Sequence, residues 1–186
     1  MPVQDHIQVI SDELRWTLAV LNEDDFDPFI DAIQEADGIF VSGAGRSGMM
    51  MRSFAMRLMH LGLNVSVVGE TVTSRISKSN FLIIGSGSGA TESLVNHARR
   101  AEEVGAKVGL ITIHVRSLIA ELADMIITIP APSPKLSGNI GFRSAQPMGA
   151  LFEQCLLISL EAIIMETMVR TGQDSGKMFT RHANLE

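Results

Sequence analysis

Apolar residues recur along this chain with two different habits, and their alternation predicts its architecture. Val9, Leu14, Leu18 and Leu21 fall at helical spacing and predict a first helix over 4–21. A shorter helix is expected over 28–35. Short stretches rich in apolar residues at 39–41, 64–68, 81–84, 107–112 and 125–129 read as strands. Helical patterns separate them. One runs to about residue 60 and carries Met50, Phe54, Leu58 and Leu61 on one face; others cover 93–104 and, briefly, 117–122. Pro130 and Pro132 close the fifth strand. Strands alternating with helices predict a parallel sheet covered on both faces, and right-handed crossovers predict a flavodoxin-like, doubly wound order. The fold class is therefore α/β, three-layered. The stretch 133–145 is rich in Ser and Gly without periodicity and reads as a loop or lid. The whole of 1–186 forms one domain, with a core at about 38–170, N-terminal helices over 4–35 and a tail over 171–186.

The last helix is expected from about Pro147, a residue suited to a first turn, to about Arg170. It is apolar nearly all round, from Leu151 and Phe152 to Met165 and Met168. One sheet face cannot cover such a helix, so self-association through it, and through the Met-rich helix near residue 50, is expected. Glu153 sits among its apolar residues. It reads equally as one partner of a salt bridge, to Arg143 or to another chain, and as a general base whose pKa apolar neighbours would raise.

Two strand ends lead into glycine-serine turns. Gly85-Ser86-Gly87-Ser88-Gly89-Ala90-Thr91 follows the third strand, and Ser42-Gly43-Ala44-Gly45-Arg46-Ser47-Gly48 follows the first. Glycine lets backbone approach an anion, and a helix start offers free N–H groups and a favourable dipole. The hydroxyls of Ser86, Ser88 and Thr91 add donors without charge. Parallel strands would bring both turns to one sheet edge, where open α/β sheets bind ligands. Gly43, Gly45 and Gly48 also spell a dinucleotide fingerprint, with Glu70 at 22 residues beyond Gly48 for a ribose. The second, hydroxyl-rich turn has no counterpart there and favours a sugar phosphate.

The net charge of −6, without a Lys/Arg cluster, argues against nucleic acid and anionic membrane as partners. The longest apolar stretch, 155–165, contains Glu161 and is too short to span a bilayer. No signal peptide is legible, so a soluble cytoplasmic protein is expected. The single cysteine, Cys155, lies in an apolar helix and reads as a core residue.

Four blocks resemble the sugar isomerase (SIS) domain family, and more narrowly its 6-phospho-3-hexuloisomerase branch. They are Gly43-Ala44-Gly45-Arg46-Ser47, Phe54 through Gly62 with Val67-Val68-Gly69-Glu70-Thr71, the loop Ser86 to Thr91, and Gln146-Pro147-Met148-Gly149-Ala150-Leu151-Phe152-Glu153-Gln154. The resemblance implies a five-stranded parallel sheet of SIS type. It implies a homo-oligomer, usually a tetramer built from dimers, with no metal and no organic cofactor. The implied reaction converts D-arabino-hex-3-ulose 6-phosphate to D-fructose 6-phosphate, within the ribulose monophosphate route of formaldehyde fixation. By the same matching, Ser47, Ser86, Ser88 and Thr91 fall on phosphate-binding positions and Glu153 on that of the base.

In that reaction a base takes the C2 proton, an enediol forms, and the proton returns at C3. A neutral donor must polarise the carbonyl, and His60 and His182 are the candidates, although such residues also cap helices or sit at the surface. His182, in the tail, is a candidate to reach a neighbouring subunit's site. Gly45 shapes the first loop, and Arg46 is expected to orient substrate hydroxyls or to pair with Glu70. The alternatives are another aldose/ketose phosphate isomerase and a non-catalytic sugar-phosphate sensor.

Overall fold

The computed structural model describes residues 2–133 and 143–185. Five strands form one wholly parallel sheet: β1 (Gly38–Gly43), β2 (Val65–Val67), β3 (Asn80–Gly85), β4 (Lys107–Thr112) and β5 (Met125–Thr128), in the order β2-β1-β3-β4-β5. The sheet has the doubly wound order expected of the sequence. Register runs through Ile39 opposite Phe81 and Ile83 opposite Gly109.

Successive side chains of a strand point to opposite faces, and the core divides accordingly. Ile39, Val41, Phe81, Ile83, Ile111 and Ile127 face one layer. It is built from α2 (Phe26–Glu35), α3 (Gly45–His60) and α5 (Ala150–Thr171). Phe40, Leu82, Ile84, Val108 and Leu110 face the other, where α4 (Glu92–Glu103) supplies Leu94, Val95, Ala98 and Ala101. Helix α1 (Val3–Leu18) lies against α5. Burial of these aliphatic chains contributes about 25 cal/mol per Å² of apolar surface removed from water. Cys155 belongs to this core, and burial pushes its thiol up to about 12.

Several boundaries differ from the sequence reading. Helix α1 stops at Leu18, and Leu21 packs on the core from the turn beyond it. Only Ala120–Leu122 of the expected 117–122 helix is helical, as a single 3₁₀ turn. Helix α5 begins at Ala150 and not at Pro147, because Met148 has φ 55° and no right-handed helix can run through it. A short α6 (Ser175–Phe179), capped by Asp174 accepting from the Lys177 amide at 2.8 Å, stands in the tail and has no counterpart in the sequence reading. The central part of the expected lid, 134–142, lies outside the described residues.

Within the chain α5 is not covered all round. Met165 and Val169 are exposed, and so are Met49 and Met56 on α3. No helix among the described residues is long and apolar enough to cross a membrane.

Candidate active site

The site forms where β1 and β3 end. Strand β1 turns at Gly43 into α3, and β3 turns at Gly85 through 86–91 into α4. Because the strands are parallel, both turns open at the same sheet edge. The second turn is pinned by the strand beside it. The Ser86 amide donates to the Ile111 carbonyl at 3.0 Å, and the Ile113 amide and Thr112 Oγ1 both donate to the Gly87 carbonyl at 3.2 Å. The Ile119 amide donates to the Gly89 carbonyl at 3.0 Å. A loop held at this many points keeps its shape whether or not it is occupied.

Its hydroxyls also shape it. Ser86 Oγ accepts from the Gly89 amide at 3.1 Å, and Ser88 Oγ accepts from the Ala90 amide at 3.3 Å. A hydroxyl has one donor and two acceptor positions, so each still has its proton to give to an anion. Thr91 stands at the N-cap of α4 but makes no capping bond with its side chain, which leaves both that hydroxyl and the first-turn amides facing the loop.

A cavity of about 730 Å³ spans the two turns. Gly45, Arg46, Ser47, Ser86, Ser88, Thr91 and Glu153 all line it. Glu153 sits in the first turn of α5 and pairs with Arg46 Nε. Within the chain the partner is thus Arg46 and not Arg143, and Arg46 pairs with Glu153 and not with Glu70. Glu153 thus has a guanidinium beside it in addition to the apolar residues of α5. The Arg46 side chain is 62% exposed, so the pair adds little to stability. Its consequence is chemical, since it fixes where the carboxylate points.

Three predicted residues lie elsewhere. Glu70 follows β2, is exposed and pairs with Arg52 of α3, outside the cavity. With no acid at the ribose position, the dinucleotide reading loses its main support. His60 ends α3 and stacks on His182 at 5.4 Å between ring centroids. Both line a second cavity of about 260 Å³ with Arg57, Glu161 and Phe179, away from the phosphate loop. His60 is buried and is not a surface group.

Burial holds the His60 imidazole below its ordinary value of 6.5, and neighbouring His182 and Arg57 act in the same direction. An imidazole depressed in the folded state takes its proton first in the unfolded chain. Its contribution to stability is therefore complete above about pH 6.5 and declines as pH falls below it. The Tm should drop between about pH 7.5 and pH 5.5, and His60→Asn should shrink that drop in paired melts. His97, also depressed by burial, leaves a residue of the same sign.

The structure adds lining residues to which the sequence reading gave no site role. His6, Val9 and Ile10 of α1 form one wall, and Gln146 and Gln154 line the cavity with Glu153. Gln154 lines the cavity, and its Oε1 is buried without a hydrogen-bond partner among the described residues. The regular spacing of His6, Val9 and Ile10 was legible, but nothing local said which surface that stripe meets. No cluster of three or more metal-binding side chains occurs among the described residues.

Comparison with known proteins agrees with this geometry. Across its full length the chain is 44% identical to a Bacillus subtilis protein named 3-hexulose-6-phosphate isomerase, covering all of both chains. A Mycobacterium gastri protein of the same name is 37% identical over 99% of this chain and 92% of its own. A solved Methanococcus jannaschii structure, described as inferring a molecular function of 3-hexulose-6-phosphate isomerase, superposes with a TM-score of 0.85. It is 34% identical and the match covers 98% of this chain and 99% of that one. Residues 32–158 match the SIS domain, and with that match the chain belongs to the SIS domain family.

Proposed function

We propose that this chain is the isomerase that converts D-arabino-hex-3-ulose 6-phosphate to D-fructose 6-phosphate. The observation that carries the reading is the cavity joining a hydroxyl-lined phosphate loop to a carboxylate on a separate helix. The relatives' names supply the substrate.

The phosphate binds the amides and hydroxyls of Ser86, Ser88 and Thr91, with Ser47 at the start of α3 beside them. This anchors the sugar far from its reacting carbons, so the binding energy serves orientation at C2 and C3. Glu153 takes the proton from C2 of the 3-ketose. The C3 carbonyl becomes the hydroxyl of a 2,3-enediol, O3 gaining the proton that O2 gives up by exchange between the two oxygens, and the same carboxylate returns the carbon proton to C3 as O2 becomes the carbonyl. Arg46, bound to Glu153, keeps that carboxylate aimed and presents its remaining N–H groups to the sugar hydroxyls. An imidazole polarises the carbonyl oxygen. His60 and His182 lie outside this chain's own cavity; His60 is buried there, so of the two only the exposed His182 is free to serve, across a subunit boundary. We infer a homo-oligomer built on the exposed methionines of α3 and α5, and a soluble, cytoplasmic enzyme.

A coupled assay tests the reaction. Formaldehyde, ribulose 5-phosphate and a hexulose-phosphate synthase generate the 3-ketose, and linked enzymes follow fructose 6-phosphate. Product should appear only when this protein is added. Its absence, from folded protein that fructose 6-phosphate still stabilises against heat, would move the reading to another phosphosugar.

A further inference from the structure

Helix α1 carries His6, Val9, Ile10 and Glu13 at spacings of three and four, which puts them on one stripe. The first three line the cavity. Glu13 lies one turn further on and is only 5% exposed. A buried glutamate usually has a cation beside it. Glu13 has three neutral donors instead, all from one short loop. Its Oε1 accepts from the Ala145 amide at 2.7 Å, and its Oε2 accepts from Ser144 Oγ at 2.6 Å and from Gln146 Nε2 at 2.9 Å. Ser144 Oγ in turn accepts from the Gln146 amide at 3.0 Å. Burial pushes the Glu13 carboxyl up, but the bonds from Ser144, Ala145 and Gln146 outweigh it and hold the group below the ordinary carboxylate range. The clamp is therefore set at neutral pH.

What the clamp holds leads directly to the reacting carboxylate. Residue 146 passes into a turn in which Met148 adopts φ 55°, a conformation that costs a non-glycine residue about 1 kcal/mol. Such a residue persists only where its surroundings impose it. Gly149 follows, its carbonyl accepting from the Glu153 amide at 3.1 Å, and α5 begins. Ala145, Gln146 and Pro147 themselves line the cavity.

We propose that Glu13 is a positioning residue: it holds loop 144–146 against α1, so that the loop closes one wall of the cavity and sets the first turn of α5, which carries Glu153. The phosphate loop is pinned separately, by β4 and the segment after it. This inference rests on the isomerase reading of the same site.

The test uses the full chain with Glu13→Gln. The substituted amide keeps the size of the side chain but donates where Glu13 accepts, so at least one loop donor loses its acceptor. For the 3-ketose, kcat should fall about tenfold or more, while affinity for fructose 6-phosphate stays within about twofold. Amide hydrogen exchange over 144–150, measured without sugar, should quicken. Ser144→Ala, which removes one bond of three, should give the same signature at smaller amplitude.

Wild-type kcat in both variants would overturn the proposal, as would unchanged exchange over 144–150. An equal loss of fructose 6-phosphate affinity would overturn it too, because the separately pinned phosphate loop would then have moved. A variant that merely melts earlier, with kcat and loop exchange unchanged, assigns Glu13 to stability alone. If the wild-type protein fails to turn over the 3-ketose, the substrate reading falls, and the sugar-free exchange comparison still decides whether Glu13 holds the loop.

Discussion

Replacing Glu153 by glutamine should lower kcat by a factor of about 10² to 10⁴, the usual contribution of a positioned general base. The change is close to isosteric. Glutamine retains an oxygen that can accept from Arg46 Nε, so the side chain should stay where the ion pair now holds it. It lacks only the ability to take a proton from carbon. Binding of fructose 6-phosphate, which depends on the loop after β3, should stay within a few-fold of wild type by calorimetric titration. The protein should melt near the wild-type temperature, because a pair whose arginine is largely exposed adds little to stability. Turnover that survives within a few-fold would remove Glu153 from the role of base and leave the carbon proton to another group in the cavity.

The complementary result is expected at Gly89. Its φ is +59°, and a Cβ built there would stand 2.0 Å from Ser117 Oγ and 2.6 Å from Ser117 Cβ. Ser117 cannot simply swing aside, because it is buried and its Oγ accepts from the Ala120 amide at 3.4 Å. Gly89→Ala should therefore push the loop off its pinned path. Two hydrogen bonds to the phosphate, each worth about 1.5–3 kcal/mol when one partner is charged, would be lost or misaimed. Affinity for fructose 6-phosphate should fall roughly 100-fold, equivalent to about 2.7 kcal/mol. Ser117→Gly in the same chain removes both crowding atoms and should restore part of that affinity. It should not restore all of it, since alanine still dislikes the left-handed conformation. An unchanged titration for Gly89→Ala would remove the loop after β3 from phosphate binding altogether.

These two variants divide the site as the chain divides it. Gly89→Ala disturbs binding through a loop between β3 and α4, and Glu153→Gln disturbs chemistry on a helix more than sixty residues later. In the proposed mechanism neither half isomerises a sugar alone: the loop after β3 would anchor a phosphate without a proton acceptor, and α5 would offer a carboxylate without an anchor for substrate.

How much of this could be read beforehand depends on the range of the forces involved. Strand positions were legible because burial on both faces writes an unbroken apolar run, as in Phe81 to Ile84. The loop Ser86 to Thr91 was legible because the conformations and donors a phosphate site needs are confined to a few adjacent residues. Helix ends were less so. Pro147 looks like a first helical residue, but Met148 leaves the right-handed region, and no residue type in the local sequence announces that conformation. The partner of Glu153 was misread for the same reason. Arg143 is near in sequence, whereas Arg46 reaches Glu153 only because two parallel strands end side by side.

The sequence by itself therefore determined the sheet, its order and the glycine-serine turn after β3, since each follows from local periodicity, local turn chemistry or the handedness of a crossover. Tertiary structure alone decided which side chains share the cavity. It gave Arg46 to Glu153, sent Glu70 to Arg52, and set His60 and His182 in a second cavity. It also laid α1 over the site with Glu13 clasping the loop from Ser144 to Gln146, more than 130 residues away. A single hydrogen bond across that distance leaves no periodicity in the chain, because it is stable only after the core has already brought its two ends together.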